Sequence, residues 1–175
     1  MLLDAGFIAG SQLPNARHFL FTIHPKQKMS VENFFSEVEK KQITDAIGQA
    51  EHNTSGEIRL HVEGHCKIDV LDRAAYVFGK LDMYKTAQRN GVLFYLAVYD
   101  RKFAIIGDAG INNVVPENFW DEIKQTILTF FKQGKFAEGL SKGIVMAGEQ
   151  LKANFPYQSN DINELPNEIS FEKNL

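Results

Sequence analysis

Residues 90–107 read NGVLFYLAVYDRKFAIIG, and the interpretation of this stretch decides the fold. Asn90-Gly91 is turn chemistry, and it opens a run from Val92 to Tyr99 that is apolar on both faces and rich in strand-forming residues. A strand apolar on both faces has to be covered on both, so this one belongs at the centre of a sheet between helical layers. Asp100-Arg101 is too short for a crossover. Lys102 to Ile106 is therefore expected to return as the antiparallel arm of a hairpin with a two-residue connection. Gly107 and Gly110 punctuate its end.

Upstream, Ser36-Glu37-Val38-Glu39 fits a capping box, and Ile43, Ala46, Ile47 and Ala50 follow at helical spacing. His52-Asn53-Thr54-Ser55-Gly56 stops that helix. Residues 56–64 then alternate, with Ile58, Leu60 and Val62 on one face and Glu57, Arg59, His61 and Glu63 on the other. This is the period-two pattern of a strand with one dry face and one face expected to be wet. Asp69 is a plausible N-cap for a helix carrying Leu71, Ala74, Ala75, Phe78 and Leu81.

Downstream, Pro116 is placed for the first turn of a helix with an apolar stripe of Phe119, Trp120, Ile123, Ile127, Phe130 and Phe131, ending near Gly134. Glu117, Asp121 and Glu122 suit the positive end of its dipole. A last helix buries Phe136, Leu140, Ile144, Ala147 and Leu151 and stops before Phe155-Pro156. The order helix, strand, helix, strand, strand, helix, helix predicts an α/β fold with a small mixed sheet and helices on both faces.

The chain has 175 residues, enough for one compact domain, with 19 basic and 22 acidic residues and a net charge of −3. That balance excludes a nucleic-acid surface built on bulk positive charge and an acid-rich disordered protein. One cysteine, Cys66, excludes an internal disulfide and a cysteine-rich zinc framework. No apolar run reaches the roughly 18 residues of a membrane span. Residues 1–28 lack the features of an export signal and read as a leader or upstream extension before Met29. The domain is expected over 29–155, followed by an acidic tail over 156–175 that reads first as a solvated extension, with Ile162, Leu165, Ile169 and Phe171 offering the alternative of docking on a partner or on the domain itself.

Strand direction sorts the polar residues onto two rims. Glu63, His65, Cys66, Asp69, Asp100 and Arg101 fall on one. Glu57, Asn90, Asp108, Asn112 and Asn113 fall on the other, with Asp82 nearby. The second rim is rich in oxygen donors, the ligand type that calcium and magnesium prefer, and its glycines admit close backbone approach. The plain alternative is that Asp108, Asn112, Asn113 and Asn90 serve turns and caps. A rival zinc site is offered by His61, Glu63 and His65 beside Cys66. No GxSxG, Walker, GxGxxG or HExxH motif is present.

Thr54-Ser55-Gly56-Glu57-Ile58, Asn90-Gly91-Val92-Leu93, Asp100-Arg101-Lys102 and Gly107-Asp108-Ala109-Gly110-Ile111, in this order, resemble the successive motifs of the TPM domain family. The pattern F-x-x-G-L-x-x-G-I at Phe136, Gly139, Leu140, Gly143 and Ile144 extends the resemblance from about Ser36 to Phe155. It implies a three-layer α/β/α sandwich with a divalent-metal site in acidic loops at one end of the sheet. Glu57, Asn90, Asp108 and the positions after Gly110 fall on the motif residues. The family includes a thylakoid-lumen acid phosphatase, a photosystem II repair protein and a modulator of ion channels.

The expected function is therefore a calcium- or magnesium-binding module in membrane or protein-complex maintenance, with metal ligands among Glu57, Asp82, Asn90, Asp108, Asn112 and Asn113. One alternative is a metal-dependent phosphatase in which Asp108 is ligand or base. Another is a structural protein docking through its tail. Where the family pattern carries an acid after the glycine-rich turn, this chain has Asn112, which lowers the negative charge there. A monomeric, cytoplasmic protein is expected.

Overall fold

A computed structural model of the protein describes residues 30–157 and 165–174. The leader reading of residues 1–28 and the docking role of Ile162 lie outside the described residues. Helix α1 (Glu37–Glu51) begins with the expected capping box: Ser36 Oγ accepts from Glu39 N at 3.3 Å, and Glu39 Oε2 accepts from Ser36 N at 2.9 Å. Strand β1 (Glu57–Glu63) leads to α2 (Val70–Lys80), whose first turn is capped by Asp69 through the amides of Leu71 and Asp72. Strands β2 (Gly91–Ala97) and β3 (Lys102–Gly107) follow, then a single turn α3 (Ala109–Asn112), α4 (Phe119–Phe131), α5 (Phe136–Asn154) and a two-residue strand β4 (Ser170–Phe171).

The sheet order is β3-β2-β1-β4, with β1 parallel to β2 and β4, and β3 antiparallel to β2. One face packs Ile58, Leu60, Val62, Val92, Phe94 and Leu96 against Ile43, Ile47, Ile127, Ile144 and Leu151 of α1, α4 and α5. On the other, Leu93, Tyr95, Ala97 and Ala104 meet Ala74, Val77 and Phe78 of α2 together with Met83. The three-layer sandwich with a mixed sheet is thus the observed fold. Each large apolar side chain so buried contributes about 1.5–3 kcal/mol. The glycines of the F-x-x-G-L-x-x-G-I pattern notch α5: a Cβ on Gly143 would lie 2.3 Å from Ile127 Cδ1 of α4.

Four features depart from the sequence expectation. The hairpin pairs Ala97 with Lys102, so its connection is four residues, 98–101, because Val98 N and Tyr99 N turn aside to bond Glu63 O and Gly64 O. Helix α4 starts at Phe119 rather than at Pro116, whose carbonyl instead accepts from Phe119 N at 3.0 Å. Of the region read as an acidic tail, residues 165–171 pack on the domain: Leu165 joins the α2 side, Ile169 and Phe171 the opposite side, and β4 adds a fourth strand beside β1. Finally, the β1 face expected to be wet is dry. Glu57, Arg59, His61 and Glu63 are all at most 7% exposed, because α2 and the returning C-terminal segment cover that face.

Candidate functional site

The starts of β1 and β2 and the end of β3 meet at one rim, since Glu57 is in register with Gly91 and Val92 with Gly107. Asp108 N donates to Gly91 O at 2.9 Å, which brings the Asp108 turn against the start of β2. Gly110 N donates to Arg89 O at 2.7 Å, locking the 107–110 turn onto the 86–90 loop. Arg89 holds a left-handed backbone with φ +53°. Only glycine fits at position 110, because a Cβ there would lie 2.1 Å from the Gln88 carbonyl oxygen.

The side chains at this rim are differently engaged. Asp108, 6% exposed, accepts from Arg89 Nε at 2.6 Å and Nη2 at 2.8 Å, and caps α3 by accepting from Ala109 N at 2.8 Å. The carboxylate raises the Arg89 guanidinium further above its ordinary range through those hydrogen bonds. Asn90 is 1% exposed; its Nδ2 donates to Ser55 O at 3.1 Å and Ser55 Oγ at 3.3 Å. Those two acceptors fix the orientation of the amide, and they leave Asn90 Oδ1 buried with no hydrogen-bond donor among the described residues.

Gln88 Nε2 also donates to Ser55 Oγ at 2.8 Å. The Asn112 amide is occupied on both sides, donating to Gly107 O at 2.6 Å and accepting from Trp120 Nε1 at 2.8 Å. It pins α3 to the end of β3 and to α4. Asn113 is exposed at the C-terminal end of α3. Asp82 sits in a left-handed turn and pairs with Lys85 at 3.0 Å, whose hydrogen bond holds its carboxyl below the usual range. Glu57 is buried at the start of β1. The rim therefore gathers Asn90 and Asp108 with Ser55, which the sequence reading placed only in a helix stop and a family motif, and with Arg89, which it did not name. Arg89 left no signal in sequence, because its partner lies 19 positions away across a strand pair.

At the opposite rim, His65 Nδ1 lies 2.8 Å from Asp100 Oδ1, Cys66 N donates to Asp100 Oδ2 at 2.7 Å, and Lys102 Nζ donates to the carbonyls of Cys66 and Ile68. His65 holds the Asp100 carboxyl below its usual range, helped by the Cys66 amide. His61 lies on the β1 face, with Nδ1 3.0 Å from Ser170 Oγ and Nε2 3.7 Å from Glu63 Oε2. The four residues of the zinc reading thus fall into two groups, His61 with Glu63, and His65 with Cys66 around Asp100. Among the described residues, no group of three or more His, Cys, Asp or Glu side chains is arranged to hold a metal ion.

The covered face of β1 and its surroundings gather several buried or partly buried titratable groups, Glu63, Arg59 and Glu51 among them. Glu63 receives the Arg73 fork and the Tyr95 hydroxyl. Burial pushes its pKa up, but the His61 ring, with Nε2 3.7 Å away, and the hydrogen bonds from Arg73 and Tyr95 prevail and bring it to about 2. Glu51, at the end of α1, accepts from Ile58 N at 2.7 Å, and burial pushes its carboxyl up to about 8. Burial lowers the Arg59 guanidinium, against the pull of Glu51, Glu57 and Glu168.

A model of the TPM domain family matches residues 29–150 of this chain. The NMR structure of BA42 protein from the psychrophilic bacterium Bizionia argentinensis is similar at 51% identity and a TM-score of 0.75, covering 81% of this chain and 98% of that one. The N-terminal domain of a P. gingivalis protein is 16% identical with a TM-score of 0.59, over 72% of this chain and 83% of that one. The N-terminal domain of the cg2496 protein from Corynebacterium glutamicum is 12% identical with a TM-score of 0.57, over 83% and 94% respectively. These last two share the fold alone. No curated protein matches, and no helix among the described residues is long and apolar enough to cross a membrane.

Proposed function

The chain belongs to the TPM domain family, and from that premise we propose that it is a divalent-cation-binding module, taking calcium or magnesium at the rim of Asn90 and Asp108 and acting by binding rather than by catalysis. The observation that carries this reading is Asn90 Oδ1. It is a hard carbonyl oxygen, buried and without a donor among the described residues, on a loop locked to the turn that bears the Asp108 carboxylate. A buried acceptor left unpaired costs about 1–3 kcal/mol, and a cation offsets that cost by accepting its lone pair. Asn90 and Asp108 would hold the ion, with water completing its shell. When bound, the ion supplies a positive charge that holds the 86–90 loop and the 107–113 turn together. The role this serves is the upkeep of a membrane or protein complex.

Asp108 speaks for binding over phosphatase chemistry. Its two oxygens accept three N–H groups, two of them from Arg89, so a water beside it finds few free lone pairs to act as its base, whereas a cation that displaces the guanidinium meets the freed carboxylate oxygens directly. The test is an amide NMR titration of the full chain with calcium, then magnesium. Saturable shifts confined to residues 55–58, 88–91 and 107–113, lost in Asn90→Ala and Asp108→Asn, are the expected result. An absence of saturable shifts, or shifts centred on His61 to Asp69, overturns it. Metal-dependent aryl phosphate hydrolysis abolished by Asp108→Asn would establish the phosphatase instead.

A further inference from the structure

The Asp108 carboxylate already holds a cation, and it belongs to the protein. Arg89 meets it with a two-pronged fork, Nε to Oδ2 at 2.6 Å and Nη2 to Oδ1 at 2.8 Å, while Ala109 N takes a further position on Oδ1 at 2.8 Å. An ionised carboxylate offers about four acceptor positions, so little remains for an incoming ion, and its charge is neutralised. The two partners differ in freedom. Asp108's side chain is 5% exposed and cannot leave, whereas Arg89's is 48% exposed and can turn into water. The Arg89 backbone has no such freedom, being held by its N–H to Thr86 O at 3.0 Å and by its carbonyl to Gly110 N.

We propose that Arg89 is a tethered competitor for the cation site: a divalent ion reaches Asp108 only by displacing the guanidinium, and loading the site releases Arg89 to solvent. This rests on the cation-binding reading above and adds its regulation. The anchored backbone keeps the guanidinium within reach at high local concentration, so the apparent affinity for the ion is the intrinsic affinity reduced by the fraction of molecules in which Arg89 is disengaged. The site then responds to high cation levels and stays closed at low ones. Each loading event exchanges a half-buried ion pair for a mobile positive side chain at the rim.

The test compares calcium binding to the full chain and to Arg89→Gln by calorimetry at one ionic strength, with Arg89→Lys as a second variant. In parallel, the Arg89 Nε–Hε signal of the unmodified protein is followed by NMR during the same titration. Loss of a fork of charge-assisted hydrogen bonds should tighten calcium binding about tenfold or more in Arg89→Gln and less in Arg89→Lys. In the unmodified protein, the Nε–Hε signal should move to the position of a solvated arginine in step with saturation. Equal or weaker affinity in folded Arg89→Gln, or an Nε–Hε signal unmoved at saturation, overturns the competitor role while leaving the cation site standing. No calcium binding by either protein overturns the underlying reading as well. Should Arg89→Gln fail to fold, the Nε–Hε titration and Arg89→Lys decide the question.

Discussion

Arg73 of α2 clamps Glu63 at the end of β1, with Nε 2.9 Å from Oε1 and Nη2 2.7 Å from Oε2. Glu63's side chain is 2% exposed and Arg73's 28%, so the acid is the member that depends on the pair. Replacing Arg73 with Met leaves a buried carboxylate short of its counter-charge. The expected loss is about 3 kcal/mol at pH 7, read from urea unfolding. Because Glu63 titrates near 2 in the fold and near 4.5 outside it, its contribution is complete above pH 4.5 and fades as pH falls toward 2. The variant and the unmodified protein should therefore converge in stability at acid pH.

Glu51 predicts the opposite slope. With a folded pKa of about 8 against an ordinary value of 4.5, the native chain holds a proton that the unfolded chain releases. Stability then falls as pH rises from 4.5 through 8. Glu51→Gln keeps an acceptor for Ile58 N and removes the titration. It should match the unmodified protein at pH 4.5 and exceed it by about 4 kcal/mol at pH 8, measured by denaturant unfolding at both values.

Gly110 has no room for a side chain, since a Cβ would meet the Gln88 carbonyl oxygen at 2.1 Å. Gly110→Ala is expected to separate the 107–110 turn from the 86–90 loop at a cost of about 1–3 kcal/mol. Calorimetry should show the lowered Tm, and the Arg89 and Asn90 amides should exchange faster with solvent. An unchanged Tm would mean that the turn yields without strain.

Ser170 ties β4 to β1 through the His61 ring, at 3.0 Å. Ser170→Ala leaves the buried His61 Nδ1 without its partner, which should cost about 1–2 kcal/mol. Amide hydrogen exchange is the direct reading: protection should drop at Ser170, Phe171 and Glu172, and stay unchanged in α1 and α5. A uniform loss across the domain would place β4 in the global folding unit instead.

The local signals in the sequence carried the sandwich. Alternation in β1, the doubly apolar run of β2, the Ser36 and Asp69 caps and the spacing of α4 and α5 each depend on neighbours within a few residues, and they sufficed for strand direction and for both rims. The Glu57, Asn90 and Asp108 positions follow from that direction alone. Tertiary structure decided what covers what and who pairs with whom. Alternation in β1 reports that one face is apolar and is silent on whether the polar face meets water, because the answer depends on a segment more than 100 residues away: Ser170 and His61 are 109 positions apart. The same reason hid Arg89, whose side chain acquires its meaning only when β2 and β3 pair and set Asp108 beside it. A buried charge is tolerated only with its partner in place, and such partners are fixed by the register of distant strands, which no local pattern encodes.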